Sequence, residues 1–150
     1  MSSYRTVVVG TDGSEPSLRA VARAGAVAGD SAARLVIVCA YYPTPERDVE
    51  QARDELGDEA FQVVGSAPAE ATLREATDVA RGAGARLVDT SAAVGAPIGV
   101  LLAAAEKEAA DLLVIGSRGL NTLKGRILGS VPSEVSRRAE CDVLVVRTTR

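Results

Sequence analysis

Branched aliphatic residues gather along this chain in short unbroken runs, each followed by a polar or glycine-rich turn. The runs are Thr6-Val7-Val8-Val9, Leu35-Val36-Ile37-Val38-Cys39-Ala40, Asp111-Leu112-Leu113-Val114-Ile115 and Asp142-Val143-Leu144-Val145-Val146. None alternates apolar with polar, which is the pattern of strands covered on both faces of a parallel sheet. A further strand reads from Arg86 to Val94, and its polar content predicts a place near a sheet edge.

Between these runs the apolar period becomes helical. Ser14-Glu15-Pro16 predicts a helix start, with Ser14 as N-cap and Pro16 tolerated in the first turn. Leu18, Val21, Ala22, Ala24 and Ala28 keep helical spacing after it, and Gly29 reads as the stop. A second helix is predicted from Pro68 to Arg81, with Leu73, Ala76, Val79 and Ala80 inward and Gly82-Ala83-Gly84 closing it. Pro97 predicts the start of a third, Ile98 to Ala110, and Val131 to Ala139 reads as a fourth. Strand and helix alternate throughout, so the expectation is one domain over residues 1–150: an α/β fold with a single doubly wound parallel sheet and right-handed crossovers.

From Tyr42 to Gly65 the pattern weakens. Glu46, Asp48, Glu50, Asp54, Glu55, Asp58 and Glu59 face only Arg47 and Arg53 there, the signature of a solvated loop or irregular helix. Apolar residues make up 47% of the chain and aromatic ones 3%, so a core would be packed by aliphatic side chains. The net charge of −3 gives no electrostatic case for nucleic acid or an anionic membrane. No apolar run reaches the ~18 residues of a membrane span, and Met1-Ser2-Ser3-Tyr4-Arg5 lacks a signal-peptide pattern. The expected location is therefore cytoplasmic, where Cys39 and Cys141 read as free thiols in strand-like runs rather than a disulfide. Histidine is absent, which removes the commonest general base and excludes Ser-His triads and His-bearing zinc sites.

The candidate chemistry lies after the fourth strand. Gly116-Ser117-Arg118-Gly119 is followed by nine residues and then by Gly129-Ser130, where the last helix begins. Glycines let backbone N–H groups approach an anion closely, and a helix N-terminus adds unpaired donors and a positive dipole end. Together they describe a phosphate cradle. Gly10-Thr11-Asp12-Gly13 ends the first strand in the same way, so both turns would line one crevice if the two strands are neighbours. Asp12 would then meet a ribose or a metal, or simply cap the helix. Lys124 and Arg126 either supply counter-charge to a polyphosphate or are ordinary surface residues. No G-x-G-x-x-G follows the first strand and no G-x-x-x-x-G-K-[ST] occurs, which disfavours a dinucleotide fold and a P-loop enzyme.

These residues resemble the universal stress protein family over essentially the whole chain. Val9-Gly10-Thr11-Asp12-Gly13-Ser14, with Ser17, Ala20 and Ala24, is similar to its first strand and helix. Val94-Gly95-Ala96-Pro97 and Ala109 through Gly119 are similar to the signature around its fourth strand, and Leu128-Gly129-Ser130-Val131 through Arg147 to its closing helix and strand. The spacing G-x2-G-x9-G-[ST] is that of its ATP-binding branch.

The resemblance implies a five-stranded parallel sheet of order 3-2-1-4-5, helices on both faces, and binding of ATP or a related adenine nucleotide, AMP and cyclic AMP included, sometimes with Mg²⁺. Gly10, Thr11 and Asp12 would border the adenosine and Ala40 would meet adenine through its backbone. Gly116, Ser117, Arg118 and Gly119 would line ribose and phosphate, while Gly129, Ser130 and Val131 would hold phosphate. A homodimer through the last strand, Asp142 to Arg147, is also implied. Pro132 departs from the family pattern and deletes one donor in the first turn of the last helix; Asp142 stands where proline is frequent. Val9, Ala40 and Ile115 are expected to form an apolar wall against the base. Besides nucleotide-dependent signalling, two other functions fit the residues: a slow metal-dependent ATPase or phosphotransferase, and a nucleotide-free dimeric interaction module.

Overall fold

All five predicted strands join one parallel sheet. The computed structural model describes residues 3–43, 63–117 and 130–148. In chain order the elements are β1 (Thr6–Gly10), α1 (Glu15–Ser31), β2 (Arg34–Tyr41), α2 (Ser66–Gly82), β3 (Leu87–Val94), α3 (Pro97–Lys107), β4 (Leu112–Gly116), α4 (Ser130–Arg138) and β5 (Asp142–Val146). The sheet order is β3-β2-β1-β4-β5, with every neighbouring pair parallel. The acidic stretch Glu46 to Glu59 lies outside the described residues.

Two apolar cores account for the unbroken strand patterns. Val7, Val9, Leu35, Ile37, Leu112 and Val114 point to one face, where Ala20, Val21, Ala24 and Ala28 of α1 and Ala69, Leu73, Ala76 and Ala80 of α2 cover them. Val8, Val36, Val38, Leu113 and Ile115 point to the other, under Val100 and Leu101 of α3 and Val131 and Val135 of α4. Successive residues of each central strand thus enter opposite cores, and alternation disappears. The more polar β3 is an edge strand, as its composition predicts, with Leu87 and Val94 exposed.

Helix ends depart from the sequence reading in an instructive way. Gly29 does not stop α1, which continues to Ser31 and ends on Ala32 in the left-handed region at φ 53°. Gly29 instead gives α1 room against the Gly84 backbone, as Gly25 does against Ala80. Likewise α3 ends at Lys107, short of the predicted Ala110, and turns through Ala109 at φ 53°. That turn delivers Asp111 to the foot of β4, where its carboxylate accepts the N–H groups of Arg5 (2.9 Å) and Thr6 (3.0 Å). Anchoring β4 beside β1 offsets the roughly 1–2 kcal/mol that a non-glycine residue costs in this conformation. Ser14 does cap α1, accepting the Ser17 N–H, with Pro16 in the first turn.

Candidate functional site

Register makes the crevice. The β1–β2 ladder runs to Gly10↔Val38 and the β4–β5 ladder to Gly116↔Val146, but β1 and β4 stop pairing at Val9↔Val114. Beyond that point β1 stays with β2 and β4 with β5, so the sheet parts where its strand order reverses. Open parallel sheets bind ligands at such a switch point.

The bend after β1 is closed on itself. Thr11 donates its N–H to the Val38 carbonyl (2.9 Å), and Asp12 donates its own to the Ser17 Oγ (3.4 Å). Gly13 N–H reaches the Thr11 Oγ1 (3.1 Å), and Ser14 N–H the Asp12 Oδ1 (2.9 Å). The Ser17 hydroxyl gives its hydrogen to the Ser14 carbonyl at 2.9 Å. The 2.8 Å contact between Thr11 Oγ1 and Ser17 Oγ therefore has Thr11 as donor. Gly13 sits at φ +85°, against Thr72, a conformation that favours glycine. These four N–H groups are thus bonded within the protein and are not free to meet an anion. What the bend still offers is the second carboxylate oxygen of Asp12, which has no hydrogen-bond partner among the described residues although Asp12 is only 6% exposed. An acceptor suits ribose hydroxyls, an amino group or a cation, not phosphate.

The bend after β4 is held from two directions. Ser117 donates its N–H to the Val146 carbonyl at 2.7 Å, and its Oγ accepts the Thr148 N–H at 3.1 Å. Arg19 of α1 donates Nη1 to the Thr148 carbonyl at 3.1 Å and Nη2 to Glu15 at 2.6 Å. A Cβ on Gly116 would come 3.0 Å from the Thr148 Cγ2 and 3.8 Å from the Pro16 carbonyl. Close approach to Thr148 thus explains this glycine without invoking a ligand. Ser17, Arg19 and Thr148 were not singled out for the site by sequence. Ser17 carries the weak signal of a hydroxyl three residues after an N-cap; Thr148 carries none, because its partner is 31 residues away.

The remaining site residues divide as follows. Gly10 ends β1, and Thr11 and Asp12 follow it in the buried bend. Ala40 is half-buried on β2 and packs against the same core as Ile115. Val9 belongs to the opposite core, so it does not share a wall with Ala40 and Ile115, contrary to the sequence expectation. Strand alternation separates them. Arg118, Gly119 and Gly129, with Lys124 and Arg126, lie outside the described residues. Ser130 and Val131 open α4, with Pro132 in its first turn, as predicted. Val131 buries its side chain in the core, which leaves its backbone N–H as the group able to meet a ligand.

Both cysteines are free, Cys39 buried and Cys141 half-buried. Burial, then the negative charges of Asp12 and Glu70, push the Cys39 thiol up to about 11. The Cys141 thiol is also raised, chiefly by burial and then by Asp142 and Asp111. Neither has the electropositive surroundings of a reactive thiolate. Among the described residues no group of three or more His, Cys, Asp or Glu side chains could hold a metal ion, and no helix is long and apolar enough to cross a membrane.

The family model described as "Universal stress protein family" matches residues 3–147. This chain belongs to that family. A universal stress protein of Mycobacterium tuberculosis is 51% identical over 149 residues, covering 99% of this chain and all of its own length. One from Thermus aquaticus is 34% identical over 144 residues, covering 96% of this chain and 99% of its own. Among solved structures, a universal stress protein crystallised in complex with cAMP is similar with a TM-score of 0.75 at 46% identity, over 99% of this chain and 100% of that one. The sheet order that the resemblance implies is the one found here, and Gly116, the first glycine of the motif, ends β4.

Proposed function

We propose that this universal stress protein binds an adenine nucleotide at the mouth between β1 and β4, and that the bound ligand biases its contacts with partners. The observation that carries the reading is the end of the β1–β4 ladder at Val9↔Val114, where the strand order reverses, while the β1–β2 and β4–β5 ladders run on to Gly10 and Gly116. The similarity to a universal stress protein in complex with cAMP supports an adenine nucleotide and makes cAMP the first ligand to test.

In this reading Gly10, Thr11, Asp12 and Ala40 border the adenosine. Asp12 presents an acceptor to the ribose, and Ala40 and Ile115 share the apolar side. Gly116, Ser117, Arg118 and Gly119 lead from ribose to phosphate, and Gly129, Ser130 and Val131 bring backbone N–H groups and the α4 dipole to the phosphate. Pro132 supplies no donor, so the N-terminal turn of α4 holds a small anionic group with the amides before it. With a polyphosphate, Mg²⁺ would take the phosphate oxygens and a single carboxylate, that of Asp12. The protein works in the cytoplasm as a homodimer formed along β5, an edge strand with exposed Asp142 and Val145, and its Arg147.

Calorimetry with cAMP, AMP and ATP, with and without Mg²⁺, tests the site on wild type and Asp12→Asn. Binding of at least one nucleotide, weakened about tenfold by loss of the Asp12 charge, is the expected result. Absence of heat with all three at millimolar concentration overturns it. Native mass spectrometry of the same samples reports copurified nucleotide and tests the dimer.

A further inference from the structure

The bend after β4 is secured by residues far from it in sequence. Thr148, two residues beyond β5, is 3% exposed and covers Gly116. Its backbone bonds on both sides, N–H to the Ser117 hydroxyl and carbonyl to Arg19. Ser117 in turn donates to Val146, so β4, β5 and α1 meet at one node at the end of β4.

We propose that Arg19 and Thr148 form a clasp that positions Gly116 and Ser117 at the end of β4, and thereby sets the affinity of the nucleotide site. The proposal rests on the nucleotide reading above. Its physical basis is that Gly116 and Ser117 lie past the last β1–β4 pair, where they border the mouth between the two strands, so an error in their direction displaces that side of the site. A site binds well only when its walls are already in place, because ordering them on binding lowers affinity. Arg19 suits the task. Its planar fork reaches Thr148 with one nitrogen and Glu15, one helical turn back, with another, so the guanidinium is fixed on α1. Since α1 also carries Ser17 and is capped by Ser14, which together close the first bend, the same helix orients both lips of the crevice.

The test compares Arg19→Met, which keeps the aliphatic stem, with Arg19→Lys, which restores a cation, and Glu15→Gln, which weakens only the partner pair. Cyclic AMP affinity is read by calorimetry, and exchange of the Ser117 amide hydrogen is read by NMR in the ligand-free protein. Arg19→Met is expected to weaken cAMP and to speed Ser117 exchange, each about tenfold, the factor for losing one hydrogen bond from a charged group. Arg19→Lys, which keeps a cationic donor but not the fork, recovers part of both, and Glu15→Gln, which keeps the Thr148 bond, has a smaller effect than Arg19→Met. Unchanged affinity and exchange in Arg19→Met overturn the clasp, even if its melting temperature falls, since that pattern is support of the fold alone. If wild type binds no cAMP the nucleotide reading fails, while Ser117 exchange still decides whether the clasp exists. Arg19→Gln repeats the comparison should the methionine variant not fold.

Discussion

A Cβ on Gly25 would stand 2.6 Å from the carbonyl oxygen of Ala80 and 3.0 Å from its Cα, so α1 and α2 touch backbone to backbone. One helical turn later Gly29 meets the Gly84 backbone in the same manner. Small residues on α1 thereby draw it close to α2, and that closeness sets where the bend before α1 lies over the sheet. Gly25→Ala is expected to destabilise the protein by about 1–3 kcal/mol, because rigid backbone must move to admit the methyl group. Gly99→Ala in α3, where an added Cβ meets nothing within 4 Å, is the matched comparison. It should be neutral or stabilise by up to about 1 kcal/mol through helix propensity. Urea unfolding of the two variants checks the contrast.

Ser17 closes the first bend through one oxygen. It accepts from Thr11 and from the Asp12 N–H while donating to Ser14, in a site where Ser17 is 3% exposed. Ser17→Ala strands two buried donors and is expected to cost about 1–3 kcal/mol. Loss of the Asp12 anchor should also loosen the bend, seen as faster exchange of the Asp12 and Gly13 amides. Protection unchanged from wild type would show that the network is not what holds this turn.

Cys39 predicts an alkaline effect. Its folded value of about 11 lies above the ordinary 9.0, so the folded state keeps a proton that the unfolded chain releases. The associated stability is complete below about pH 9 and is lost as pH rises toward 11, by up to about 1.4 kcal/mol per unit. Unfolding curves from pH 8 to 11 should therefore fall less steeply for Cys39→Ala than for wild type. Thiol labelling at pH 7.5 should reach Cys141 before the buried Cys39, with full labelling of both only on denaturation.

The elements themselves were legible because burial on both faces leaves a simple mark. Val7-Val8-Val9 and Leu112-Leu113-Val114-Ile115 show no alternation because neighbouring residues enter different cores. Asp89 and Thr90 mark β3 as an edge for the opposite reason. Helix ends were less legible. Gly29 carries the same sequence signal whether it stops a helix or admits another backbone, and only the neighbouring Gly84 distinguishes the two. Ala32 and Ala109 adopt a glycine-like conformation that their residue type does not announce. For the site, Gly10, Asp12 and Gly116 stood out in the motif, but the engagement of the first bend's amides was invisible, because it depends on the Val38 carbonyl of β2, the Ser17 hydroxyl of α1 and side chains of the bend itself.

From the order of residues alone come the alternating strands and helices, the glycine-rich turns at two strand ends, and the membership of the universal stress protein family. Those features follow from local burial and backbone freedom, which neighbouring residues impose on each other. Folding in three dimensions assigned the rest: that β1 and β4 part after Val9 and Val114, that Val9 faces away from Ala40, and that Thr148 seals Gly116. Each is a relation between segments brought together by long-range packing, and no local pattern in either segment encodes its partner.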